Sequence, residues 1–389
     1  MIIIEKLLNI IWILIQLIIS FQLMYPVFLF FLHAFKRKRV FFSIDRSVNT
    51  LDYAIIVTAY QQTHLLPETV DSILKLNYHK YHVYIVADNC DITNLNFSNP
   101  CVTVLRPEQV LASNTKSHFY AIDRFIRDHD VLTIIDSDNL VHPDYLNELN
   151  VYFNRGYDAI QGVRLPKSLQ TTLACLDAAR DIYYNYYDGH LLFELGSSAT
   201  LAGSGMAFRV TLYRECLEDL EIRGAGFDKV LQAEIVKRGY IIAHAPDAIV
   251  YDEKTSQSQQ LVNQRSRWIN TWFKYCKFGG SLLLEGIASF NRNQVLFGIT
   301  LLRPPLFMFI LLSIICLLVN ILMESWVAVF WVAAFLIFFI GFFIALHSER
   351  SSSKIYRSLL GIPRFIWLQI VSLYHSRRAN KRSIATKHL

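Results

Sequence analysis

Leu7–Leu32 carries no charged residue in 26 positions, and this run limits what the chain can fold into more than any other feature. At about 1.5 Å of rise per residue, a helix over it crosses a hydrocarbon core of roughly 30 Å with length to spare. A secretory signal peptide has a shorter apolar run and a small-residue cleavage site. Here the run is followed instead by Lys36-Arg37-Lys38-Arg39, so a membrane anchor is expected.

Two more uncharged runs, Pro304–Met323 and Ser325–Leu346, are separated only by Glu324. They predict a tight transmembrane hairpin, with buried core helices as the alternative. Together the three runs explain a hydrophobic content of 53% and a mean hydropathy of +0.29. Basic residues set the orientation. A cluster follows the first run, Arg292 and Arg303 precede the second, and Arg350, Lys354, Arg357, Arg377, Arg378, Lys381 and Arg382 follow the third. The hairpin tip has none, so the positive-inside rule places the N-terminus outside and the middle and C-terminus in the cytosol. Much of the +6 net charge lies beside these runs. Anionic lipid is its natural counter-charge, and no nucleic-acid partner is called for. The six cysteines form no CxxC pair, which suits a reducing cytosol better than a metal or disulfide framework.

Between the membrane segments, apolar runs of strand length alternate with amphipathic stretches. Tyr53–Tyr60, Tyr81–Asp88 and Val131–Asp136 read as buried strands, with a shorter one at Cys101–Leu105. Pro67–Leu76 and Lys116–Asp128 read as helices between them. This alternation predicts an α/β domain with a mostly parallel, Rossmann-like sheet. Such sheets bind ligands at the carboxyl ends of their strands.

Asp136-Ser137-Asp138 directly follows an apolar strand, at that ligand edge. Two close carboxylates repel each other, and a hard divalent cation relieves the repulsion; a solvated turn is the alternative. Asp88 also ends a strand, placed to accept hydrogen bonds from a base or ribose or to close an Asx turn. Lys116 lies in the first turn of its helix, where an anion would satisfy both the lysine and the free N–H groups; a plain surface lysine is the other reading. Gly203, Ser204 and Gly205 form a small-residue loop that permits close approach of a ligand or simply makes a turn. Asp228 opens a helix over Phe227–Arg238 that Gly239 closes, and alone it reads as a carboxylate favoured by the helix dipole. Gln264, Arg267 and Trp268 share one helix face. Arginine binds diphosphate with two parallel hydrogen bonds and tryptophan offers a stacking surface, although a membrane-surface helix carries the same residue types.

Taken in order, these motifs resemble the membrane-bound family 2 glycosyltransferases of GT-A fold, over residues 50 to 275 or so. That group includes cellulose, hyaluronan and poly-N-acetylglucosamine synthases and ceramide glucosyltransferases. Thr58-Ala59-Tyr60-Gln61-Gln62 stands where the family often has P-x-Y-N-E, with Thr58, Gln61 and Gln62 differing. The resemblance implies donor contacts for Tyr60, Gln62, Asp88, Lys116, Asp136 and Asp138, with Mg²⁺ or Mn²⁺ on the Asp136 and Asp138 carboxylates. It implies an acceptor-side role for Gly203, Ser204 and Gly205. Gln264, Arg267 and Trp268 match Q-x-x-R-W, the most specific motif of the set. The family's catalytic base is usually the Asp of an E-D pair eleven residues before a Gly-aromatic; counting back from Gly239-Tyr240 gives Asp228, preceded by Phe227 instead of Glu.

The implied activity is inverting transfer of a sugar from a nucleotide-diphosphate sugar, a UDP-sugar by family habit, to a growing exo- or cell-surface polysaccharide. Transfer of a single sugar to a membrane lipid is the alternative. A catalytically silent assembly subunit is a third, because Phe227 and the altered first motif break the pattern. Three spans make a thin pore, so the polymer reading needs a homo-oligomer or an export partner. The implied layout is a membrane helix and basic segment (1–49), a cytosolic catalytic domain (50–295), a transmembrane hairpin (296–347) and an amphipathic, basic tail (348–389), in a bacterial inner or plasma membrane. Within the tail, Gly361–Tyr374 is apolar, aromatic and too short to span, so an interfacial position is expected.

Overall fold

The computed structural model describes residues 2–36, 49–93, 95–222, 224–349, 351–377 and 379. Arg37, Lys38, Arg39, Arg350, Arg378, Lys381 and Arg382, which carry much of the orientation expectation, lie outside the described residues.

Eight strands form one sheet: β1 (Tyr53–Tyr60), β2 (Tyr81–Asp88), β3 (Val102–Leu105), β4 (Val131–Asp136), β5 (Leu140–Val141), β6 (Ala159–Pro166), β7 (Met206–Arg209) and β8 (Ile242–Asp252). Their order is β3-β2-β1-β4-β7-β6-β8-β5. The expected α/β architecture and mostly parallel sheet are present, and β1, β2 and β4 occupy the three apolar runs end to end. These strands are buried over nearly their whole length because helices cover both faces. Strands β7 and β5 run against the rest, which the sequence did not suggest.

Register decides what reaches the ligand edge. Tyr60 pairs with Asp88 and Thr58 with Asp136 across parallel ladders, while Pro166 pairs with Asp252 farther along the sheet. Because β7 is reversed, its entry loop meets this same edge, and the Gly205 N–H donates to the Ile134 carbonyl at 2.9 Å.

The helices are α1 (Ile2–Phe35), α2 (Leu66–Leu74), α3 (Asn114–Ile122), α4 (Tyr145–Asn154), α5 (Thr172–Tyr184), α6 (Val210–Leu217), α7 (Phe227–Lys237), α8 (Ser258–Tyr275), α9 (Lys277–Ala288), α10 (Arg292–Leu302), α11 (Leu306–Leu322), α12 (Val327–Ser348), α13 (Ser353–Ser358) and α14 (Ile362–Ser376). Helix α5 runs on through a π turn, Asn185–Leu191. Helix α3 stops six residues before the expected Asp128. Beyond it the chain is drawn off the helix axis, because the Ile126 N–H donates to the Tyr84 hydroxyl at 2.9 Å and Arg127 and His129 bind Asp52.

The second apolar run is also altered. Its helix starts only after Pro304 and Pro305 and has 17 residues. Two consecutive prolines lack the N–H groups needed to join it to α10, and the two helices meet at 72°. Among the described residues α1 and α12 are long and apolar enough to cross a membrane; α10 and α11 are so only as one bent pair. Polar groups tie these helices together. The Gln16 Oε1 accepts from Asn320 Nδ2 at 2.6 Å and from Trp331 Nε1 at 2.8 Å, the kind of interhelical bond that substitutes for a hydrophobic driving force in lipid. At the other end, the Tyr187 hydroxyl of the π turn donates to the Gly341 carbonyl of α12 at 2.8 Å. Helix α14 packs along α8: Phe365 is buried with Leu173, Leu176 and Leu261, and Trp367 and Tyr374 stay exposed.

Candidate active site

A cavity of about 640 Å³ lies between the carboxyl edge of the sheet and a wall made by α5, α7, α8 and the elbow between α10 and α11. Tyr60, Gln62, Asp88, Asp136, Asp138 and Gly203 line the sheet side, and Asp228, Gln264, Arg267 and Trp268 line the opposite side. Ten residues picked from six separate motifs therefore face one space.

Three others do not line it. Lys116 is exposed on the first turn of α3, capped through its backbone by the Ser113 hydroxyl. Ser204 is fully buried. Its Oγ accepts from the Asp136 N–H at 3.1 Å and from Asn139 Nδ2 at 2.8 Å, so it braces the turn that presents the two acids. Gly205, at φ +67°, takes the backbone past Val250. Small residues are needed here because a strand entry must squeeze against a strand exit, and only Gly203 meets the cavity.

Asp88 is buried, and its two carboxylate oxygens accept from the Leu111 and Ala112 N–H groups at 3.0 and 2.7 Å. The acid thus fixes the loop that leads into α3. Burial first, and then the Asp138 carboxylate, push Asp136 up to about 7. A divalent cation would remove that penalty. No cluster of three or more His, Cys, Asp or Glu suited to a metal occurs among the described residues. Two carboxylates fit a cation of the Mg²⁺ type, which completes its octahedron with water and substrate phosphates.

Asp228 owes its position to its neighbours. Gly226 caps α7 at φ +101°, and a Cβ there would come within 2.5 Å of Thr271 and 2.7 Å of Tyr275 on α8. Only glycine lets the start of α7 press against the helix bearing Gln264, Arg267 and Trp268. Phe227 turns the other way, into the core, with its ring 5.0 Å from that of buried His118. Asp228 faces the cavity, and its carboxylate pairs with Lys229 at 3.0 Å. Lys229 also donates to the Leu201 carbonyl at 2.8 Å.

A buried charge network behind Trp268 escaped the sequence reading. Arg265, an unassigned position inside Q-x-x-R-W, is buried and pairs with Asp177. Its guanidinium lies 3.9 Å from the Trp268 ring centre, and that of Arg180 lies 4.4 Å from it. Arg180 binds Asp181, Lys254 bridges Asp181 and Asp252, and Asp252 binds Arg164. Burial disfavours the Arg164 charge, but Asp252 and Asp181 outweigh it and hold its pKa above the ordinary value. Burial likewise opposes the Asp181 charge, and Arg180 and Lys254 more than offset it. A signal was present: Asp177, Arg180 and Asp181 share one face, at i, i+3 and i+4, of an otherwise small and apolar helix.

A family model described as glycosyltransferase like family 2 matches residues 51–271, more than half of the chain. The chain belongs to that family. It is thereby a glycosyltransferase of the hexosyltransferase type, and its sheet is the GT-A-like domain of the family. No curated protein matches the sequence. Among solved structures, a mannosyltransferase from Pyrobaculum calidifontis in complex with GDP-Man and Mn²⁺ superposes with a TM-score of 0.57 at 15% identity, over 96% of this chain and 98% of that one. Coverage that wide takes in helices outside the sheet domain as well. TarS of S. aureus (residues 1–349) aligns over 60% of this glycosyltransferase and 66% of its own chain, with a TM-score of 0.39 and 14% identity. Its complex with UDP-GlcNAc gives a TM-score of 0.42 at 13% identity, over 60% of this chain and 67% of that one.

Proposed function

We propose that this glycosyltransferase moves one sugar from a nucleoside-diphosphate sugar to a hydroxyl of an amphiphilic acceptor that reaches the cavity from the membrane. The observation that supports this most is the cavity's extent. It runs from Asp136 and Asp138 to Pro304, Leu306 and Phe307 at the elbow of α10 and α11, so its far end carries apolar side chains and adjoins the helices suited to lipid.

In this reading Tyr60, Gln62 and Asp88 receive the nucleoside, and Asp138 and Asp136 hold Mg²⁺ or Mn²⁺ against the diphosphate. The cation offsets negative charge on the leaving diphosphate. Arg267 adds hydrogen-bond donors to that charge, and Gln264 and Trp268 complete the same wall. Gly203 lets the acceptor approach the edge of the sheet. Asp228 takes the proton from the acceptor hydroxyl as it attacks the anomeric carbon. A single displacement of this kind inverts the anomeric centre. The ion pair with Lys229, at 3.0 Å, stands in for the glutamate that the family places before its base and aims the Asp228 carboxylate.

The membrane layout belongs to the same proposal: α1, the bent α10–α11 pair and α12 as three spans, the catalytic domain at 50–295, and that domain with the tail in the cytosol. The test is nucleotide release by detergent-purified protein across UDP- and GDP-sugars, with and without Mn²⁺, followed by product sizing. Metal-dependent release from one donor, together with a single-sugar lipid product, is expected. A product retained on a sizing column would instead establish a polysaccharide synthase, with its need for an oligomer or export partner. Silence across all donors with every acceptor would leave the assembly-subunit reading.

A further inference from the structure

At the membrane end of the cavity, Arg303 and Asp188 form a buried ion pair. Arg303 lies at the elbow, just ahead of Pro304 and Pro305, and Asp188 lies on the π turn after α5. Both line the cavity. The pair is incomplete: Arg303 Nη1 and Asp188 Oδ1 have no hydrogen-bond partner among the described residues. A buried donor and a buried acceptor left unmet are both costly. Tyr184 ties the two elements together: its hydroxyl accepts from the Leu306 N–H at 2.9 Å and its ring lies 5.6 Å from the Arg303 guanidinium.

One unmet donor beside one unmet acceptor, in a charge-neutral pair, is a specification. A phosphate brings acceptors only and is repelled by Asp188. An ammonium brings donors only and is repelled by Arg303. A hydroxyl, or two neighbouring hydroxyls, both donates and accepts and adds no charge. We propose that Arg303 and Asp188 form a subsite for an uncharged, hydroxylated head group, a sugar or polyol, whose apolar tail lies along Pro304, Leu306 and Phe307. This rests on the single-transfer reading above and names the class of acceptor: a sugar- or polyol-headed lipid.

The test compares hexyl glucoside with hexyl phosphate, titrated against the full chain in lipid nanodiscs and read by saturation-transfer NMR, with empty nanodiscs as control. The glucoside is expected to bind, and the phosphate at least ten times more weakly. Asp188→Asn is expected to weaken the glucoside about ten-fold, as loss of a hydrogen bond to a charged group does. That variant leaves Arg303 buried without its counter-ion, so a double variant, Asp188→Leu with Arg303→Met, is measured beside it. Replacing both members of a buried pair by apolar residues usually preserves the fold, and here it should abolish glucoside binding. Glucoside binding unchanged in the double variant, phosphate binding tighter than glucoside, or no glucoside binding at all would each overturn the subsite. Nucleotide release is measured on the same samples: no turnover of any donor while glucoside still binds would remove the proposed activity and leave the subsite standing.

Discussion

Along the sheet edge, the residues that face the cavity are held by main-chain pairing. Asp136 ends a strand locked in register with Thr58, and Asp88 ends one locked with Tyr60. Across the cavity, the wall behind Trp268 is held by side-chain charges from elements far apart in the chain: Asp177 with Arg265, Asp181 with Lys254, Asp188 with Arg303. A ladder of backbone hydrogen bonds tolerates changes of side chain. A buried charge network does not, because removing one member strands another. Residues around one site should therefore fail in different ways: chemistry first at Asp228, which pairs with Lys229 outside that network, and folding first in the charged network behind Trp268.

The largest expected effect is catalytic. Asp228→Asn should lower kcat by about 10²–10⁴-fold with the melting temperature little changed, measured by nucleotide release and thermal unfolding. A comparable loss of stability would mean that Asp228 is part of the wall's scaffold. Next, Asp177→Asn leaves Arg265 buried without its counter-ion and should cost about 3–5 kcal/mol of stability. Exchanging both, Asp177→Leu with Arg265→Met, should restore most of it in denaturant unfolding. If the single variant is as stable as the parent, the contrast between the two sides is lost.

Acid should act on both sides together. Burial pushes His118, on the sheet side, down to about 3. It pushes His244, beside the π turn, down to about 3 as well, with His190 a smaller cause. In the unfolded chain each titrates near its ordinary 6.5, so below that pH the unfolded state binds protons that the folded state refuses. Stability should be full above about pH 7 and fall steadily as pH drops below 6.5, by a few kcal/mol at about pH 4. Unfolding midpoints that stay flat across that window would show that these imidazoles are not held neutral.

Gly226→Ala tests the joint between the helix that carries Asp228 and the helix that carries Trp268. Its Cβ would enter Tyr275 and Thr271 at a left-handed φ, at a cost of about 1–3 kcal/mol. Because the strain falls between α7 and α8, kcat should drop by more than stability does. The smallest effect is expected for Ser204→Ala, at about 1 kcal/mol. It loosens the turn bearing Asp136 and Asp138 without emptying the cavity, and a raised Mn²⁺ requirement is the readout.

Sequence pattern was a good guide to the sheet side. Runs such as YAIIVTAY and VLTIID can hardly be anything but buried strands, and an acid that ends such a run falls on the ligand edge by topology alone. It was a poorer guide to the small-residue loop, where Ser204 is buried beneath the turn that bears Asp136 and Gly205 passes against Val250. Their compactness serves the packing of reversed β7, and a reversed strand leaves no mark in a four-residue stretch. Phe227 shows the same limit, since nothing near it in the chain reveals that its ring is buried against His118.

The sequence by itself determined the apolar helices, the parallel core of the sheet and the order of motifs that marks the family, because each is written in contiguous residues whose periodicity or spacing carries the information. Only the tertiary structure decided that Arg265, rather than a motif residue, backs Trp268, that Gly226 spaces α7 from α8, and that an ion pair 115 positions apart lines the cavity at the elbow of α10 and α11. Those are meetings between distant elements, fixed by the cost of burying charge without a partner, and no local pattern encodes them.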